Sequence, residues 1–163
     1  MHMINIRQIL IGLSVLFFGI LVYIVDRPFD QTYFLYKSFL NLSLHNSLPN
    51  LFGNYGNYLP SFIHVYSFII ITASFFPPQK KGYLLISVCW FGVDIFFELG
   101  QKFKSLFSAM VPDWFSFVPF LEVSKNYFLA GTFDFNDLAA ISFGALLGYF
   151  TLLITTKGMK HET

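Results

Sequence analysis

Apolar residues run almost unbroken through four stretches of the chain, about Gln8–Val25, Leu59–Phe76, Gly82–Gln101 and Asp137–Thr156, with polar, aromatic or proline-containing sequence between them. A membrane-crossing helix needs about 20 mostly apolar residues, and all four stretches meet that requirement. The Pro77-Pro78 pair ends the second, because proline offers no N–H and restricts the residue before it. Only the Pro77–Gly82 turn leads into the third, which predicts an antiparallel hairpin. The pattern predicts an all-α, polytopic membrane protein. One domain covers residues 1–163, with four transmembrane helices and two long outer connections. The first span reads as a retained anchor: its apolar run exceeds that of a signal peptide, and neither a small-x-small cleavage site nor a lipobox cysteine follows.

The two connections, Asp26–Tyr58 and Lys102–Asn136, are longer than ordinary loops and too aromatic for disorder. Between Gln31 and Asn46, the polar residues Lys37, Ser38, Asn41 and His45 recur at helical spacing, while Tyr36, Phe39 and Leu40 face the other way. That pattern predicts a helix lying in the membrane interface. Ser105–Phe120, with Trp114, Phe115, Phe117 and two prolines, predicts a broken aromatic element that rests on the outer leaflet or re-enters it.

Composition sharpens the picture. The chain is 55% hydrophobic and 21% aromatic but only 12% charged, about half the charge of a soluble domain. That excludes a soluble enzyme, a disordered chain and a coiled coil. A net charge of +1 gives no reason to expect nucleic acid as a partner. The single cysteine, Cys89, excludes an intramolecular disulfide and a multi-cysteine zinc site.

Orientation follows from the basic residues. Arg7, Lys80, Lys81, Lys157 and Lys160 crowd the short terminal tails and the tight turn. Arg27, Lys37, Lys102, Lys104 and Lys125 are spread thinly through the long connections among acids. Both termini are therefore expected in the cytoplasm and both long connections outside.

Ionisable groups inside a span are costly and are functional candidates by default. The third span carries Asp94, Glu98 and Gln101 at i, i+4 and i+7, on one helical stripe. The second carries His64 near its start. The fourth opens on Asp137, preceded by Asp134 and Asn136. With the expected orientation these groups fall near the outer ends of their spans, with Asp94 deeper than the rest. In the fourth span Ala140, Gly144 and Gly148 form a small-residue ridge for close helix packing, expected to dock on the third or second span and bring Asp137 inward. The candidate site is therefore His64, Asp94, Glu98, Gln101, Asp134 and Asp137. Paired carboxylates in low dielectric suit proton transfer. No metal-ligand spacing, phosphate loop, nucleophile elbow or cofactor motif accompanies them, and no Arg approaches to hold a phosphate.

The run Phe97-Glu98-Leu99-Gly100-Gln101, then Gly131-Thr132-Phe133-Asp134-Phe135-Asn136-Asp137, then Gly144-Ala145-Leu146-Leu147-Gly148-Tyr149 resembles the VanZ-like family of small bacterial membrane proteins. Ser61-Phe62-Ile63-His64-Val65-Tyr66 is similar to that family's His-containing second span. The resemblance covers roughly residues 60–150. It departs where the family carries Arg, here Thr132, and Asn, here Ile141. It implies a bacterial cytoplasmic-membrane protein, in a family whose founding members are linked to glycopeptide-antibiotic tolerance. The expected function is a non-enzymatic cell-envelope role in which the outer polar site binds a lipid or lipid-linked molecule. The alternatives are an accessory subunit of a larger membrane complex and a membrane enzyme acting on a lipid-linked substrate. Membrane lipids are the expected partners, and no cofactor or metal is expected.

Overall fold

The computed structural model describes residues 4–27, 43–45, 47–118, 121–122 and 124–159. Most of the expected interfacial helix at 31–46 lies outside these residues. The described residues form six α-helices and no strand: α1 (Ile6–Asp26), α2 (Tyr55–Ala73), α3 (Lys80–Lys102), α4 (Lys104–Met110), α5 (Ser124–Ala130) and α6 (Phe135–Met159), with a 3-10 turn at Asp113–Phe117. The aromatic second connection is thus broken into two short helices and a turn, and Pro112 stands at the start of that turn.

α1, α3 and α6 are each long and apolar enough to cross a membrane. Their outward faces carry large apolar side chains, among them Phe17 and Leu10 on α1, Leu85 and Val88 on α3, and Phe143 and Ile154 on α6, while Gln8, Asp94, Glu98 and Thr155 are buried. Polar inside and apolar outside is the pattern of a protein whose solvent is lipid. This is a membrane protein.

α2 is not among the three apolar helices. It carries Asn57, Pro60, Ser61, His64 and Ser67, and it is the central one, packing most extensively on α6 and α1 and then on α3. Its neighbours take up part of this polarity, Asp137 of α6 accepting from Ser61 and Asp94 of α3 pairing with His64. The core consists of Val65, Tyr66, Ile69, Ile70 and Ala73 of α2, Tyr83 of α3, and Ile141, Ala145 and Leu152 of α6.

Glycines set the approach of these helices. A Cβ on Gly12 would lie 2.5 Å from Ile71 Cγ1, and one on Gly19 2.8 Å from Ile63 Cγ2, so α1 and α2 run antiparallel in close contact. On the opposite side of α2, a Cβ on Gly144 would lie 2.7 Å from the Phe62 carbonyl oxygen. The ridge of α6 docks on α2, not α3. Gln8 Nε2 donates to Thr155 Oγ1 at 3.0 Å, which brings the start of α1 and the end of α6 to one end of the bundle.

α2 starts and stops earlier than its apolar pattern predicts, at Tyr55 rather than Leu59 and at Ala73 rather than Phe76. The cause of the early start lies at the end of α1. Buried Asp26 accepts from the Leu51 and Phe52 N–H groups at 3.0 and 2.9 Å. Gly53, at φ 52°, turns the chain, and Gly56 sits where a Cβ would be 2.7 Å from Asp26 Oδ2. Arg27 then donates to the Asn57 carbonyl at 2.8 Å. Pro60, which the pattern placed near the first turn, therefore lies inside the helix.

Candidate functional site

The early start of α2 fixes the depth of His64. It stands nine residues after Tyr55, roughly 13 Å along the helix, while Asp94 stands eight residues before the end of α3. The two reach the same level instead of Asp94 lying beneath. His64 Nδ1 is 3.0 Å from Asp94 Oδ1 and 3.1 Å from Oδ2. Asp94 is 7% exposed, whereas the His64 side chain is 47% exposed. With the carboxylate accepting, the proton of a neutral imidazole sits on Nδ1 and Nε2 is left as an acceptor. Phe68 and Trp90 hold the ring, their centroids 4.4 and 6.2 Å from it.

One turn further along α3, Glu98 is 6% exposed. Its Oε1 accepts from the backbone N–H of Asp134 at 2.9 Å, which pins the chain just before α6. The Asp134 carboxylate turns back on its own segment and accepts from Asn136 N and Nδ2 at 2.9 and 3.1 Å. Asp137, in the first turn of α6, accepts from Ser61 Oγ at 2.6 Å, and both it and Asp134 act electrostatically on Glu98.

Gln101 completes the stripe but turns to α5. Its Nε2 donates to Tyr127 Oη at 2.8 Å, and Gly131 packs against its side chain where a Cβ would lie 2.6 Å from Cδ. α4 and α5 pack on each other and on the end of α3, with Phe128 against Gly100. Burial pushes the Tyr127 phenol up to about 12, while the Gln101 hydrogen bond opposes the shift.

These groups surround a cleft of about 510 Å³. Tyr23, Ser61, His64, Asp94, Glu98 and Tyr127 supply its polar lining. Leu16, Ile20, Ile63, Phe68, Phe97 and Ile141 supply its apolar walls. Of the six residues singled out in the sequence, His64, Asp94 and Glu98 line the cleft. Asp137 reaches it through Ser61 and Gln101 through Tyr127, while the Asp134 side chain serves the start of α6.

Sequence reasoning missed Tyr23, Tyr127 and the Asp26–Arg27 pair. A tyrosine near a span end has the signature of an interfacial anchor, so nothing marked Tyr23. Tyr127 lay in a connection to which no regular helix had been assigned. Among the described residues, no group of three or more His, Cys, Asp or Glu side chains is placed to hold a metal ion. Comparison of the chain with known protein families, characterised proteins and solved structures gave no match.

Proposed function

We infer that this is a four-span membrane protein that binds a lipid or lipid-linked molecule in the cleft between α1, α2 and α3. The observation that carries the reading is the cleft itself. About 510 Å³ with apolar walls and a polar patch of His64, Asp94, Glu98 and two tyrosines suits an amphiphile, with its chain along the walls and its headgroup at the patch. A buried carboxylate paired with a half-exposed histidine is expensive to keep in a bilayer unless it is used.

The fourth span is supported by the length over which α2 follows α1. Asn5 N–H donates to the Ser74 carbonyl at 3.0 Å at one end, and Asp26 holds Leu51 and Phe52 at the other. A helix that matches a spanning neighbour end to end spans with it. Arg7 and Lys80 flank the end of the bundle opposite the cleft, which supports cytoplasmic termini and an outward-facing cleft. The VanZ-like motif residues support a bacterial cytoplasmic membrane and a cell-envelope role.

The test is native mass spectrometry of the detergent-purified chain. Lipid adducts are expected on the wild type. Ile20→Trp, which fills the cleft from its lipid-facing rim, should remove them without changing the melting temperature. Absence of adducts on the wild type, or their persistence in Ile20→Trp, would count against the reading.

The His64–Asp94 pair favours a second reading, a membrane enzyme acting on the bound lipid with Nε2 as the proton acceptor. In that case wild-type and His64→Gln proteins would retain chemically different lipids. Identical adducts would leave binding alone.

A further inference from the structure

Glu98 defines which chemical group the cleft can hold. It is 6% exposed and spends Oε1 on the Asp134 N–H. Its other carboxylate oxygen has no hydrogen-bond partner among the described residues, on a side chain that lines the cleft. One turn away Asp94 turns both oxygens to His64 Nδ1, and in the neutral ring with its proton there Nε2 is a second acceptor. Among the described residues, no Lys or Arg lines the cleft. Arg27 donates to the Asn57 carbonyl and lies 4.8 Å over the Tyr23 ring. Lys102 lies 4.9 Å over the Phe133 ring.

That oxygen faces a cleft with mostly apolar walls, so the group it can hold on a bound molecule is a donor. A bare phosphate would supply none and would bring negative charge beside two carboxylates in a medium that screens poorly. A primary ammonium supplies three N–H donors and the opposite charge. The rings of Tyr23, Phe68 and Phe97 around it favour a cation over an anion. Resting on the lipid-binding reading above, we propose that the cleft selects its lipid by a primary amine in the headgroup. Glu98 accepts from the amine, and the acyl chain lies along Leu16, Ile20 and Ile141.

Trp90, whose ring centroid is 4.7 Å from that of Phe68 in the cleft wall, provides the readout. The full chain in detergent is titrated by tryptophan fluorescence with short-chain phosphatidylethanolamine, phosphatidylcholine and phosphatidic acid, and separately with free ethanolamine. Phosphatidylethanolamine is expected to bind about tenfold more tightly than the other two lipids, and free ethanolamine is not expected to compete. Glu98→Gln should erase the preference while leaving residual binding of all three lipids. Equal or tighter binding of phosphatidylcholine or phosphatidic acid would overturn the amine proposal and leave the lipid-binding reading intact. Competition by free ethanolamine at the lipid's own affinity would overturn the lipid source. Binding of none of the lipids would overturn both readings. If Glu98→Gln does not fold, the headgroup series on the unaltered chain still decides.

Discussion

The Tyr127 hydroxyl shows how one side chain couples the peripheral helices to the site. It sits between α3 and α5, holds the Gln101 amide at 2.8 Å, and lines the cleft. Burial raises its ionisation from 10.0 to about 12. The folded chain therefore keeps a proton over that window which an unfolded tyrosine releases. Stability is independent of this group below pH 10 and falls as pH rises through 10 towards 12. A phenolate absorbance titration checks this. Tyr127→Phe should remove one tyrosine's absorbance from the upper end of the curve and leave the lower part unchanged. The same substitution removes the Gln101 partner and should cost about 1 kcal/mol in the neutral range.

Between elements, the decisive feature is the closeness of α6 and α2. A Cβ at Gly144 meets main chain, the Phe62 carbonyl at 2.7 Å, as well as Val65 Cγ1 at 2.6 Å. At Gly148 the nearest atom is Ile69 Cγ2 at 3.3 Å, on a side chain able to yield. Gly144→Ala should therefore destabilise by roughly 1–3 kcal/mol and Gly148→Ala by clearly less, measured as melting temperatures of the detergent-solubilised variants. Equal shifts would mean that the helices separate as freely at one glycine as at the other. This contact matters to the site, because α6 brings Asp137 to Ser61 and Ile141 to the cleft wall. At the opposite end α6 is fastened by hydroxyls: Thr151 to Tyr66, Thr155 to Gln8 and Thr156 to Tyr83. Each such bond within a bilayer contributes about 0.6 kcal/mol.

At the scale of the whole molecule, the two ends of the bundle differ in chemistry. One carries the cleft, with Asp94 and Glu98 in its lining and Asp134 and Asp137 beside it at the start of α6. The other carries Arg7 and Lys80 at the starts of α1 and α3. Gln8 and Thr155 join the start of α1 to the end of α6, and in the proposed four-span arrangement both termini lie on that side. In the proposed orientation, drawn from the basic residues, that side is the cytoplasm. A C-terminal phosphatase reporter that is active only outside the cytoplasm should therefore stay silent, and the same reporter inserted after Asp113 should be active. A strong C-terminal signal would reverse the orientation and turn the cleft inward.

The apolar runs alone determined the helices α1, α3 and α6. In lipid, backbone groups must be satisfied within the segment, so twenty apolar residues leave little choice but helix. The i, i+4, i+7 spacing likewise placed Asp94, Glu98 and Gln101 on one stripe before any contact was known, and the four-residue spacing of Ala140, Gly144 and Gly148 marked a packing face. Tertiary structure decided the partners. That Gly144 meets Phe62 and that His64 pairs with Asp94 depend on the start of α2, whereas Gln101 turns to Tyr127 because α5 packs back on α3. That start is set by the Asp26 carboxylate, which holds Phe52 from 26 residues away in sequence, and by Gly53 beside it. An anchor of this kind has no period and no composition. It exists only when two distant segments meet, so it had no local signal for the sequence to carry.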